Sequence, residues 1–536
     1  MRVLRRVAPA AAAALGALAA IAAPAGVVSP ALPAAPARAP AAIPDPIEFD
    51  RWIRVESEHL VIYSNAPEDP TIDVGRHVEV FRDQIARFNP DLRVDSALPI
   101  VLFVFRDDRT FIPYKLLGRG QRAGMAANID GFFLQHDDGN YLCVNATPAN
   151  DPWPVIYHEY AHFFLANNFT DIPLWLNEGL AEYFGTFRVD GSEAMMGGPI
   201  KSHLWWLREH PPMALRRLFS IDFASPEYHE DDRQGTYYAQ SWAVTHYLLW
   251  GTDGPGGGMD RFLSDRKRGD SLAAAVAPFT ANPGEREERF LQYLNAKKFP
   301  FHTVPLGDRS GAPAPKVTAL TRDEAYYRLG DLLRHVDPGR LEAAAEHFRA
   351  ALRLQPERAD AHAGLGQTLF ELGRRDEARV AFEKAYTLAP DDPRIGLRFG
   401  LSLVESSFPA DQRQVVKPEA LPADLLRGRA ILEKLVGREP ANALAWGGLG
   451  TSYAFDGGDV APGIAALEKA RALLPSRPEL AVNLCWLYLR GGGLEKVRPL
   501  YEQVVRTSDD KRARAEGLEA VFWADYEMAA AAPADE

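Results

Sequence analysis

Residues 154–165 read Pro154-Val-Ile-Tyr-His158-Glu159-Tyr-Ala-His162-Phe-Phe-Leu165, a His-Glu-x-x-His string inside an apolar run of helical character. Positions i and i+4 share one face of a helix. His158 and His162 can therefore turn ring nitrogens toward one tetrahedral metal ion, with Glu159 beside them as a base. With 13 histidines in the chain, such a pattern arises by chance on the order of 0.02 times. The bland counterpart is an amphipathic core helix whose two histidines bond to backbone carbonyls.

A short helix-turn-helix distance downstream lies Trp175-Leu-Asn177-Glu178-Gly-Leu-Ala-Glu182-Tyr-Phe, again helical, with Glu178 and Glu182 four apart on one face. A buried carboxylate needs a partner, and a metal ion supplies one. Three protein ligands leave a fourth position for water, which the metal acidifies and Glu159 can deprotonate. Glu182 can then hold a ligand imidazole in its binding tautomer. The alternative is that both glutamates lie on an exposed helix face.

His158-Glu-Tyr-Ala-His162 followed by Trp175-Leu-Asn-Glu178-Gly resembles the gluzincin pattern, and the second string is similar to that of M1-type aminopeptidases. The resemblance implies a zincin-like α+β fold. It also implies one zinc ion held by His158, His162 and Glu178, with Glu159 as general base and acid. A further match is Tyr238-Ala-Gln-Ser-Trp-Ala, which starts a predicted helix through Leu249. In the M1 relatives a Tyr at a comparable place donates to the tetrahedral oxyanion, which makes Tyr238 a catalytic candidate and Tyr237 the second choice. A packed aromatic pair is the other reading of these two tyrosines, and His246 is read as structural.

One M1 feature is missing. The relatives carry Gly-x-Met-Glu-Asn, whose Glu captures a free amine, whereas this chain has Gly124-Met125-Ala126-Ala127-Asn128. An endopeptidase, or an enzyme with a narrow cut of another kind, is therefore expected rather than an aminopeptidase. A strand near Tyr141 to Val144 is expected at a sheet edge, where an extended substrate would pair with it.

Around this site the pattern is mixed. Trp52 to Tyr63 alternates in part like a strand, a helical stretch runs from about Thr71 to Phe88, and Leu98-Pro-Ile-Val-Leu-Phe-Val-Phe105 reads as a buried strand. Gly131 to Leu134 and Tyr141 to Val144 read as two more, joined by the Asp137-Asp-Gly-Asn turn. From Pro154 onward helices dominate. Beyond a Pro- and Gly-rich segment the sequence repeats: Ala344, Phe348, Ala351 and Pro356 recur 34 positions later as Ala378, Phe382, Ala385 and Pro390. Residues 359–390 resemble the tetratricopeptide consensus at Leu365, Gly366, Leu369, Ala378, Phe382, Ala385 and Pro390, with looser copies on both sides. Such helix pairs stack into a curved solenoid.

The expected organisation is a signal peptide (1–25), an Ala/Pro-rich leader (26–46), a gluzincin-like peptidase domain (47–302), a linker (303–318), tetratricopeptide repeats (319–510), and a capping helix with tail (511–536). Arg2, Arg5 and Arg6 before the apolar stretch from Ala8 to Ala23 point to export, to the periplasm or beyond. Membrane attachment is expected only through that segment if it stays uncleaved. The formal charge of −12 and the lack of a long basic run exclude a nucleic-acid footprint. Cys143 and Cys485 are too few and too distant for a disulfide framework, so two buried thiols are expected.

The arrangement is similar to the bacterial peptidase-MA-like proteins. That resemblance implies zinc-dependent cleavage of a peptide or protein substrate, with the repeats binding substrate or a protein partner in their groove. The competing function is a tetratricopeptide scaffold that carries an inactive or structural metallopeptidase-like domain.

Overall fold

The computed structural model describes residues 50–531 except 89–92, 96–99, 116–130, 137–138, 148–152, 169–171, 222–224, 226, 228–230, 252–256, 269, 271–273, 276, 278–282, 307–313, 408–419, 455, 476 and 506–510. The expected signal peptide and leader, the Gly124–Asn128 string and the first half of the Asp137-Asp-Gly-Asn turn lie outside the described residues.

The N-terminal half is built on strands β1 (Ile53–Glu56), β2 (Val61–Ser64), β3 (Ile100–Phe105), β4 (Gly131–Gln135) and β5 (Asn140–Asn145). Its helices include α1 (Glu68–Phe88), α2 (Trp153–Asn168), α3 (Leu174–Gly185), α4 (Lys201–Glu209) and α5 (Asp231–Trp250). Strands β6 (Arg188–Asp190) and β7 (Glu193–Met196) precede α4, while β8 (His302–Pro305) and β9 (Lys316–Ala319) follow α5. The main sheet has the order β4-β5-β3-β2-β1-β9, and β6, β7 and β8 form a second, three-stranded sheet. Strands β2, β3 and β5 run parallel, with β4, β1 and β9 antiparallel to their neighbours.

Side chains alternate across a strand, so register sorts the apolar residues into rows. Ile62, Leu102 and Leu142 line up across three strands, and so do Tyr63, Phe103 and Cys143 on the opposite face. The aliphatic row shares a core with Val78 and Phe81 of α1, Ile156 of α2, Leu180 of α3 and Trp242 of α5. The aromatic row packs instead against the first repeat, α6 (Arg322–Val336) and α7 (Leu341–Leu354), through Leu329, Leu332, Leu333 and Phe348. A strand flanked on both faces reads as a continuous apolar run, which is why Ile100–Phe105 shows little polar alternation.

Two expectations are corrected. The segment 303–318 is not a bare linker: β8 extends the second sheet and β9 pairs with β1 along four residues, Val317 opposite Val55. These four-residue strands flank the Pro/Gly-rich stretch and carry too few apolar residues to announce themselves. Residues 141–144 are not at the edge either, because β5 lies between β3 and β4 and its backbone is paired on both sides. The edge strand beside it is β4.

The second half continues as helix pairs: α8 (Ala359–Glu371) with α9 (Arg375–Leu388), α10 (Pro393–Ser407) with α11 (Ala423–Arg438), and α12 (Ala443–Thr451) with α13 (Ala461–Leu473). Then come α14 (Pro478–Gly491) and, last, α15 (Lys511–Ala531). Small residues set the spacing. A Cβ on Gly364 would sit 2.4 Å from the Phe348 ring, and one on Gly366 3.0 Å from the Phe382 ring. Phe348 and Phe382 can therefore bury completely between helices.

Polar contacts tie the β4–β5 hairpin to this array. The Tyr141 hydroxyl donates to Asp331 at 3.0 Å, and Arg398, from the third pair, holds the other oxygen of Asp331 at 3.0 Å. His335 stacks on Tyr141 with ring centroids 4.1 Å apart, and Arg477 donates to the His136 carbonyl. Both cysteines are free and buried, and among the described residues no helix is long and apolar enough to cross a membrane.

Candidate metal centre

Helix α2 lies under the β4 end of the sheet, with Phe163 edge-on to Phe133 at 6.0 Å between centroids. Helix α3 crosses it, and α5 seals the far side of α3. The α3–α5 crossing is close: a Cβ on Gly179 would lie 2.1 Å from Thr245 Oγ1 and 2.3 Å from the Ser241 carbonyl oxygen. The glycine after Glu178 is thus a packing requirement. It lets α3 sit deep enough to aim Glu178 at α2.

Three ligand atoms meet there. His158 Nε2 and His162 Nε2 are 3.1 Å apart, and Glu178 Oε2 is 3.6 Å from the first and 3.4 Å from the second. Bonds of about 2.0–2.1 Å at tetrahedral angles separate ligand atoms by about 3.3–3.4 Å. The three atoms therefore fit around one ion with a fourth position left over. Among the described residues, His158, His162 and Glu178 are the group whose donor atoms come together in this way.

The other ring nitrogens are engaged from behind. Asn177 Oδ1 is 3.3 Å from His162 Nδ1, and Glu182 Oε1 is 3.7 Å from His158 Nδ1. Asn177 Oδ1 within hydrogen-bond reach of His162 Nδ1, and the Glu182 carboxylate near His158 Nδ1, favour protons on the Nδ1 atoms, a tautomer that would leave the Nε2 lone pairs for a metal. Glu182 shares the α3 face of Glu178, as the i, i+4 spacing indicated. Asn177 was missed, although it adjoins Glu178, and so was His203 of α4, whose Nε2 lies 3.2 Å from Glu182 Oε2. A lone histidine on a distant helix carries no spacing signal.

The carboxylate and the imidazoles of the cluster shift one another strongly. Burial pushes the Glu178 carboxyl up, but His162 and His158 beside it outweigh burial and hold it at about 2. For His162 burial acts downward, and the Glu178 charge overrides it, raising the imidazole to about 9. Burial raises the Glu159 carboxyl, partly offset by the two imidazoles beside it.

Tyr238 stands on α5 at i, i+3 and i+7 with Ser241 and Thr245, the two residues that meet Gly179. It is half-buried, whereas Tyr237 is completely buried. His246 is held by the Tyr293 hydroxyl at 2.7 Å and the Gly197 carbonyl at 3.1 Å, and burial lowers it to about 4. It is a neutral packing residue.

Residues 335–398 match a family model described as Tetratricopeptide repeat. The helix pairs around this segment form a tetratricopeptide-like solenoid. The Escherichia coli bacteriophage adsorption protein A is 30% identical over 155 residues, which span 25% of this chain and 14% of that protein. Solved structures with similarity include a thermophilic TPR protein of Thermus thermophilus at 22% identity, covering 37% of this chain and 99% of that one with a TM-score of 0.30. Pseudomonas aeruginosa PilF is 20% identical, covering 39% and 87% of the two chains with a TM-score of 0.30. The type IV pilus biogenesis factor PilW is 16% identical, covering 40% and 94% with a TM-score of 0.31.

Proposed function

We propose that the chain is a zinc-dependent endopeptidase of the gluzincin type that acts outside the cytoplasm. The supporting observation is the triangle of His158 Nε2, His162 Nε2 and Glu178 Oε2, whose sides of 3.1, 3.6 and 3.4 Å suit a tetrahedral ion. Zinc in that position supplies a Lewis acid for the scissile carbonyl and an acidified water. Imidazole and carboxylate donors favour zinc through ligand type and availability.

The protein's own residues divide the remaining work. Glu159 takes the proton of the attacking water and passes it to the leaving amine. An extended substrate adds to the edge strand β4, in place of the β5 edge expected from sequence, and is thereby laid beside Glu159. Tyr238 donates to the oxyanion that develops on the carbonyl. The missing carboxylate in Gly124–Asn128 leaves nothing in that string to capture a free amine, which favours internal cleavage. The repeats bind a protein partner or the substrate itself, and the positive N-terminal segment supports export.

Glu159→Gln tests this reading, because it removes the base and keeps the ligands. Zinc should remain, and hydrolysis of a denatured-protein or peptide-library substrate should fall by about 10²–10⁴-fold. Undiminished turnover contradicts the role of Glu159. A wild type that binds zinc, cuts no peptide and captures a partner through its repeats favours the scaffold reading.

A further inference from the structure

We propose that His203 is a positioning residue for the metal centre, acting on His158 through Glu182; this rests on the reading of His158, His162 and Glu178 as metal ligands. The Glu182 carboxylate lies between two imidazoles. One oxygen is 3.7 Å from His158 Nδ1 and the other is 3.2 Å from His203 Nε2. His203 Nε2 is sealed from solvent and forms no well-aligned hydrogen bond, and the Glu182 oxygen at 3.2 Å is the charged group beside it.

The two ligand imidazoles are supported unequally. His162 is backed by Asn177, the residue next to Glu178 on α3, whose amide sits at 3.3 Å. His158 is backed by a carboxylate on a longer side chain with more rotamers to lose, one that needs a second contact to fix its plane. His203 supplies that contact from outside the α2–α3 pair, on the separate helix α4, where Trp242 of α5 flanks its ring at 6.0 Å. The Glu182 carboxylate thus stands between the two rings, near enough to His203 Nε2 and to His158 Nδ1 for its charge to act on both. Held in that plane, it would favour the His158 tautomer whose Nε2 lone pair faces the position a metal would take.

Partners placed behind a metal-binding imidazole are worth about 10–100-fold in metal affinity. His203→Ala in the full-length chain should weaken zinc binding by about tenfold, measured by competition with a chromophoric chelator. His203→Gln should restore most of that loss, because its amide N–H reaches a similar point. In a Glu182→Ala background, His203→Ala should cost nothing further. The visible absorption of the cobalt(II)-substituted protein should shift in His203→Ala and return in His203→Gln. Wild-type affinity in His203→Ala, additive losses in the double variant, or a folded His203→Gln as weak as the alanine variant would each overturn the proposal. A wild type that binds no stoichiometric metal would overturn the underlying reading as well, so the two failures are told apart by the wild-type arm.

Discussion

Glu178 and Glu79 are both buried carboxylates, and each is held by a different kind of partner. Glu178 faces two imidazoles. Glu79, on α1, accepts the Ser57 hydroxyl at 2.6 Å and the His59 backbone N–H and Nδ1, both at 2.8 Å, which fixes the β1–β2 turn. Burial acts to raise the Glu79 carboxyl, but these donors outweigh it and hold it below the ordinary range. A depressed folded value stabilises the fold above the unfolded pKa of about 4.3, and the contribution is lost as pH falls through the folded value. Urea midpoints measured down the acid range should therefore fall more steeply for the wild type than for Glu79→Gln, whereas at neutral pH the variant should be less stable by about 1–3 kcal/mol. Parallel pH profiles contradict this. At this scale the sequence was informative where spacing carried chemistry: His158, His162 and Glu178 sit on two neighbouring helices whose period was readable. Asn177 and His203 depend on side-chain directions set by the crossing of α2, α3 and α4, which no local pattern encodes.

Elements were readable when their own residues carried a strand signature and obscure when only a neighbour justified them. Partial alternation around β1 and β2 and the unbroken β-branched and aromatic run of β3 made these strands readable, while the rows of Ile62, Leu102 and Leu142 depend on their register. The short β8 and β9 could not, because they are strands only by virtue of the β7 and β1 edges they complete. The same dependence placed β4, not β5, at the edge. At the α3–α5 crossing, Gly179→Ala should press a Cβ onto the Ser241 backbone, which cannot yield like a flexible side chain. Overpacking of this kind costs about 1–3 kcal/mol. Because Glu178 adjoins the clash, zinc content should drop together with the melting temperature. Full zinc content in a variant of unchanged stability would show that the crossing does not set the ligand position.

On the scale of the whole molecule, the repeat array and the sheet share a core, so the boundary near residue 319 is not a boundary in packing. Tyr63, Phe103 and Tyr141 bury against α6 and α7, at about 1.5–3 kcal/mol for each large side chain. Arg398 and Arg477 reach back to the hairpin and its partner Asp331. A chain cut after residue 319 should therefore be insoluble or molten, binding a hydrophobic dye and melting without a cooperative transition. A compact, cooperatively folding fragment with full zinc content would contradict that dependence. The repeats themselves were legible, because the recurrence of Ala344, Phe348 and Ala351 at 34 positions is a property of sequence alone. Their use as a third layer of the sheet was not, since a tetratricopeptide helix shows the same apolar face whether it meets another repeat or a strand. The metal content of the purified full-length chain, by elemental analysis beside His162→Ala, tests the central claim most directly. About one zinc per chain in the wild type, lost in the variant, is the expected result; folded wild-type protein that never met a chelator and holds no zinc would contradict it.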